Sequence, residues 1–236
     1  MSSIKGIIFD YGGTIDTDGI HWGEFIWEQY KETGVDISHE TYREAYVHGE
    51  RFLAKNHVIE PTDTFHTLLR KKIAIHFDYL HNRFPEKHFS KEDAERIADG
   101  CYNKVKKTME TTCAVVKELS KQYPLVLVTN FYGNMPVVLK EFNLSEYFKT
   151  IVESSVVGLR KPDPALFALG VEALGFEPHE IVVIGDSYRK DIYPSSTLGC
   201  RTVWLKNVCW EEETVVQGDE ADAIIRTLEE LPQYIK

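Results

Sequence analysis

The sequence predicts an α/β fold, a doubly wound parallel sheet interrupted by an inserted all-helical domain. Three observations carry this. Short apolar runs without alternation recur at Ile7 Ile8 Phe9, Leu125 Val126 Leu127 Val128 and Ile181 Val182 Val183 Ile184, and such runs read as strands buried on both faces. From Thr112 onward these runs alternate with helical patterns, the signature of a sheet wound with helices. Between the first run and Thr112 only helical periodicity occurs. The expected division is therefore 1–17 and 112–236 for the α/β core and 18–111 for the helical insertion.

The first strand stops on Asp10, and Gly12 and Gly13 follow, where absent Cβ atoms let the backbone turn or approach a ligand. Trp22, Phe25, Ile26 and Tyr30 then recur at helical spacing, with Gly34 as a stop. Ser38 caps a second helix carrying Tyr42, Ala45, Tyr46, Phe52 and Leu53. Pro61 marks the start of a third, with Phe65, Leu68, Leu69, Ile73 and Tyr79. Ser90 and Asp93 open a fourth through Ala94, Ile97, Ala98, Cys101, Tyr102 and Val105. After Thr112, a short helix at Val115, Val116 and Leu119 leads to the second strand, which ends on Thr129 and Asn130. A helix around Val137–Phe142 and a short strand at Ile151 Val152 follow. The stretch Gly158 to Pro164 reads as a loop, in which Pro162 keeps Lys161 out of helical geometry. A helix from Ala165 to Leu174 leads to the strand ending on Gly185 Asp186 Ser187. Thr202–Leu205 is the last expected strand, and the tail from Trp210 is acidic and partly helical.

Composition narrows the function. A chain of 236 residues with 43% hydrophobic and 27% charged residues has the make-up of a soluble globular protein. No stretch reaches the ~18 consecutive apolar residues of a membrane helix. The start of the chain runs directly into the first strand without a signal-peptide pattern, so a cytoplasmic location is expected. Net charge of −10 speaks against a nucleic-acid partner. Residues 70–107 are mildly basic, with ten Lys/Arg against six Asp/Glu, which reads as a solvated helix face or a surface for a small anion. Cys101, Cys113, Cys200 and Cys209 lack metal-like pairing and are expected to be reduced thiols. Eight of the nine histidines fall in the helical insertion. His39, His48, His57 and His66 are spaced by nine, which sends neighbours to opposite helix faces, so no histidine metal site is expected.

Three strands thus end on Asp10, on Thr129 with Asn130, and on Asp186, with Lys161 on an intervening loop. Parallel strands present their carboxyl ends on one edge, where ligands bind. Two carboxylates brought together call for a cation, and hard oxygen ligands favour Mg²⁺, which recruits phosphate. Lys161 and the Thr129 hydroxyl can offset and orient phosphoryl charge. With Asp10 as nucleophile, in-line attack gives an aspartyl phosphate that water hydrolyses.

These residues resemble the haloacid dehalogenase-like (HAD) superfamily across nearly the whole chain. Asp10 to Thr14 looks like its first motif, Thr129 its second, Lys161 its third, and Gly185 Asp186 Ser187 through Asp191 Ile192 its fourth. The resemblance implies a Rossmann-like core with a helical cap of the C1 type. It implies that Asp10 is the nucleophile and a Mg²⁺ ligand, with the carbonyl of Gly12 and Asp186 as further ligands. Thr129, Asn130 and Lys161 would hold phosphate, with Asp191 and Ser187 supporting. The implied activity is hydrolysis of a small phosphorylated metabolite.

One position departs from the pattern. Family phosphatases carry a second Asp two residues after the nucleophile, to protonate the leaving group and activate water, and here Gly12 stands there. Loss of positioned proton transfer lowers rates by about 10² to 10⁴. The expectations are therefore a phosphatase that is slow, one selective for good leaving groups, or one using a stand-in acid such as Asp16, Asp18 or Glu24. Phosphonate cleavage is the alternative chemistry, needing a cap lysine for which Lys31 and Lys55 are nominal candidates. A non-catalytic phosphate- and metal-binding protein is another reading, as is dehalogenation, whose members usually have Tyr at position 12. Trp22, Phe131 and Tyr132 are candidate pocket walls.

Overall fold

The structure, a computed structural model, describes residues 3–211, 215–218 and 220–235. Parts of the acidic tail, residues 212–214 and 219, lie outside the described residues. Its sheet comprises β1 (Gly6–Phe9), β2 (Leu125–Thr129), β3 (Phe148–Glu153), β4 (Ile181–Gly185), β5 (Arg201–Leu205) and β6 (Ala223–Ile225). All pair in parallel, in the order β3-β2-β1-β4-β5-β6. Successive side chains of a strand face opposite ways, so Ile7 and Phe9 join Leu125, Leu127, Val182 and Ile184 in one core. Ile8, Val126, Val128 and Val183 instead pack under Leu166 and Phe167. These two residues belong to the helix Pro164–Leu174, which covers that face. Burial on both faces is the reason the strand sequences lack alternation.

Between β1 and β2 run four helices, α1 (Trp22–Thr33), α2 (His39–Lys55), α3 (Phe65–Arg83) and α4 (Lys91–Ser120). Ser38, Thr64 and Ser90 cap α2, α3 and α4, each side chain accepting a backbone N–H of the first turn. Gly34 ends α1 in the left-handed region with φ 79°. The aromatic stripes meet at the centre of this bundle, where Tyr30 and Tyr42 lie 4.9 Å apart between ring centroids.

Five expectations change. Thr64, not Pro61, starts the third helix, because its hydroxyl reaches the Thr67 N–H and an N-cap satisfies an otherwise orphaned donor. Val115, Val116 and Leu119 form no separate helix but continue α4, a single helix of 30 residues. The boundary expected at 112 therefore lies inside α4, whose buried stripe runs on from Cys101 through Val105, Met109 and Thr112 to Val116. β3 is longer than Ile151 Val152, and the acidic tail contributes a sixth strand before a 3-10 turn at Leu228–Gln233. Among the described residues no helix is long and apolar enough to cross a membrane.

Candidate active site

β1 lies at the sheet's topological switch point, because the chain proceeds to β2 on one side and to β4 on the other. Loops leaving adjacent strands diverge there and open a crevice at the carboxyl edge. Asp10 follows β1 directly, its N–H donating to Ile184 O at 2.9 Å. Thr129 closes β2 and Asp186 follows β4. Carboxylate oxygens of Asp10, Asp186 and Asp191 all lie within 4.8 Å of one another.

Lys161 enters this cluster from its loop. Its Nζ donates to Asp10 Oδ1 at 2.6 Å and to Asp191 Oδ1 at 2.7 Å, and the side chain is buried. Asn130 clamps the loop: its Oδ1 accepts the Lys161 N–H at 3.0 Å and its Nδ2 donates to Lys161 O at 3.2 Å. Thr14 Oγ1 donates to Asp10 Oδ2 at 3.1 Å. The second Asp191 oxygen accepts the Ser187 N–H at 3.1 Å, so Asp191 is fastened at both ends.

The electrostatics of this corner are unbalanced. Three carboxylates face one buried ammonium. Burial pushes the Asp10 carboxyl up to about 6, with Asp191 adding to the rise and Lys161 opposing it. Burial, then the charges of Asp191 and Asp10, raises Asp186 well above the usual carboxylate range. Burial alone would lower Lys161, but the charges of Asp10 and Asp191 outweigh it and raise it. A hard divalent cation beside Asp10 and Asp186 would remove the repulsion, and an all-oxygen donor set fits Mg²⁺.

The two glycines differ. A Cβ on Gly13, which has φ 97°, would fall 2.3 Å from Asp186 Oδ2, whereas at Gly12 its nearest neighbour is Trp22 Nε1 at 4.0 Å. Gly13 is thus required by the packing of Asp186 against the backbone. The space at Gly12 is open. Asp16 lies beside that opening: its Oδ1 accepts the Gly13 N–H at 2.7 Å and its Oδ2 accepts Trp22 Nε1–H at 3.0 Å. Burial, with a contribution from Asp10, pushes the Asp16 carboxyl up to about 8.

A cavity of about 640 Å³ spreads from this corner toward α2 and α3. All eight residues selected from the sequence border it, namely Asp10, Gly12, Thr129, Asn130, Lys161, Asp186, Ser187 and Asp191. Trp22, Phe131 and Tyr132 form walls as expected. Of the three stand-in acids, Asp16 borders the cavity and Asp18 and Glu24 do not. Asp18 instead accepts the Leu228 N–H at 2.8 Å. Lys31 and Lys55 are also absent from its lining, and the cavity's lysine on α3 is Lys72, bound to Glu50 of α2. Burial would lower Lys72, but Glu50 outweighs it and holds the ammonium well above its ordinary value. Sequence reasoning missed Lys72 because Arg70 Lys71 Lys72 reads as a surface charge run. Its signal was its place between Leu68, Leu69 and Ile73 on the buried face. No histidine or cysteine joins a metal-like cluster among the described residues, and none of the four cysteines is in a disulfide.

A glyceraldehyde 3-phosphate phosphatase of Pyrococcus furiosus is 31% identical over 93 residues, 39% of this chain and 38% of its own length. A phosphoglycolate phosphatase of Neisseria meningitidis serogroup A is 30% identical over 131 residues, 54% of each chain. The chain thus matches about half or less of the length of these curated relatives. In fold, the HAD-hydrolase YfnB of Bacillus subtilis, solved bound to magnesium, aligns over 100% of both chains with TM-score 0.63 at 17% identity. The profile of the haloacid dehalogenase-like hydrolases matches residues 4–193, and a HAD-hydrolase-like profile matches residues 158–231. The strand-end carboxylates and loop lysine therefore stand in a chain that belongs to the haloacid dehalogenase-like hydrolase family.

Proposed function

We propose that the protein is a Mg²⁺-dependent phosphatase acting on a small phosphorylated metabolite, with the helices between β1 and β2 serving as its cap. The observation that carries this reading is Asp10, a buried carboxylate at the switch point of the sheet, fixed by Lys161 and Thr14 and bordering a cavity. Asp10 would attack the phosphorus in line, forming a phosphorus–oxygen bond to Oδ while the ester bond breaks. Water then hydrolyses the aspartyl phosphate and releases orthophosphate. Thr129 and Lys161 hold the phosphoryl oxygens, and Asn130 fixes the Lys161 loop. Asp10, Asp186 and the Gly12 carbonyl would hold Mg²⁺, with Asp191 and Ser187 supporting, and the ion when bound neutralises phosphoryl charge.

Gly12 cannot supply the leaving-group proton. Asp16 replaces it in this reading, being buried, raised to about 8 and adjacent to the open space at Gly12. The phosphonate alternative gains a cap lysine in Lys72, but a lysine held protonated by Glu50 is a poor imine-forming amine.

The test compares p-nitrophenyl phosphate with an alkyl phosphate at fixed Mg²⁺ and near-neutral pH. Asp10→Asn should abolish turnover of both. A Cβ at position 12 meets nothing closer than Trp22 Nε1 at 4.0 Å, and Gly12→Asp should raise activity most toward the alkyl ester, whose leaving group needs a proton. Absence of any Asp10-dependent turnover would replace this reading by a binding protein.

A further inference from the structure

The phosphate corner occupies one end of the cavity, and the end under α2 and α3 has its own chemistry. Lys72 Nζ lies 2.8 Å from Glu50 Oε1, and the Lys72 side chain is 7% exposed. The ammonium sits 5.8 Å from the Trp22 ring centroid and 5.5 Å from that of Tyr132. The Tyr132 hydroxyl stands 3.5 Å from Glu50 Oε2. All four side chains line the same cavity as Asp10.

Stability does not explain this pair. Burying the Lys72 ammonium carries a desolvation cost that offsets most of its attraction to Glu50, whose side chain is 34% exposed, and apolar side chains of similar volume would join α2 to α3 as well or better. Lys72 also interrupts a stripe whose neighbours Leu68, Leu69 and Ile73 are ordinary core residues. A charged pair kept in such a stripe, on the wall of a cavity, points to a ligand.

Its chemistry selects the ligand. The pair presents N–H donors and carboxylate lone pairs side by side, with no net charge. A second anionic group on the substrate would compete with Glu50 for Lys72, and an ammonium group would compete with Lys72 for Glu50. Adjacent hydroxyls compete with neither, because one donates to Glu50 while its neighbour accepts from Lys72. Trp22 and Tyr132 add aromatic faces for the C–H side of such a group. Arg160 and Lys190, which also border the cavity, are exposed at its rim, where water and salt screen them.

We propose that Lys72 and Glu50 grip adjacent hydroxyls at the neutral end of the substrate, so that the substrate is a sugar or polyol phosphate monoester. This rests on the phosphatase reading for the other end of the cavity.

The test uses the full chain with Mg²⁺. Three polyol esters, glucose 6-phosphate, ribose 5-phosphate and glycerol 3-phosphate, are compared with phosphoglycolate, which carries a second anion, and with O-phosphoserine, a zwitterion. At least one polyol ester should exceed both charged esters in kcat/KM by about tenfold or more. In the double variant Lys72→Met with Glu50→Gln, which leaves no charge unpaired, that ratio should collapse, mainly through KM. Preference for a charged ester, or an unchanged ratio in a double variant that melts cooperatively, overturns the inference while leaving the phosphatase reading intact. If p-nitrophenyl phosphate shows no Asp10-dependent turnover, the phosphatase reading fails separately, and tryptophan-fluorescence titration of the same esters decides the inference. Tighter binding of a polyol ester that the double variant loses upholds it, and equal dissociation constants across the panel overturn it.

Discussion

At the level of single residues, the first motif combines a fixed and a free position. Gly13 has no room for a side chain, since Asp186 occupies the space its Cβ would need. Gly12 has room, and Asp16, six residues after Asp10, accepts the Trp22 indole N–H that borders that space. If Asp16 is the acid, it works while it carries its proton, and a carboxyl raised to about 8 loses that proton as pH rises through that value. Turnover of an alkyl phosphate should therefore fall above about pH 8, while that of p-nitrophenyl phosphate should show no such limb. Asp16→Asn should remove the limb and lower alkyl-ester turnover by about 10² or more. A pH profile identical for the two esters would move the acid role to another group.

Among the elements, α2 and α3 are joined by polar groups that the bundle buries. His76 of α3 has no exposed surface, and Gly49 of α2 allows its ring to approach so closely that a Cβ there would fall 2.6 Å from it. Burial, then the charge of Lys72, pushes His76 down to about 3, with Glu50 opposing and His48 adding slightly. The unfolded chain binds that proton near 6.5. The folded state binds fewer protons, so the contribution of neutral His76 is complete above about pH 6.5 and is lost progressively as pH falls toward 3. In thermal melts between pH 7 and 4, His76→Leu should make Tm less dependent on pH than the wild type. An equal slope would show that other groups govern acid sensitivity.

For the whole molecule, the fold concentrates negative charge at one sheet edge against its own stability. Asp10, Asp186 and Asp191 are held together by β1, β4 and the turn that follows β4, and one lysine offsets only part of their repulsion. Metal-free protein should accordingly gain stability when one carboxylate is neutralised. Asp186→Asn is expected to raise Tm in chelator and to abolish the rise that Mg²⁺ produces in the wild type, because a ligand that binds only the folded state stabilises it by mass action. A Tm that ignores Mg²⁺ in the wild type would remove the metal from this corner. The same edge explains why Lys161, far from Asp10 in sequence, reaches it: the parallel order carries every β-to-α loop of the sheet's centre to one side.

What the sequence determined by itself was whatever depends on short-range pattern. Apolar runs without alternation marked the buried strands β1, β2 and β4, and Asp10, Thr129 and Asp186 declared themselves as polar groups at strand ends. Ser38 and Ser90 announced helix starts because capping is a contact between residues three apart. Tertiary structure decided what depends on neighbours distant in the chain. The short strand at Ala223–Ile225 forms only because β5 offers it an edge, and its acidic surroundings concealed it. The continuity of α4 across Thr112 depends on a buried stripe that runs unbroken through that residue, and Thr112 Oγ1 donates to Ile15 O at 2.8 Å. Lys72 looked like one charge in a basic run, and Asp16 like one of three equivalent acids. Burial separated them from their neighbours, because the cost of desolvating a charge is set by the surrounding fold and not by adjacent letters.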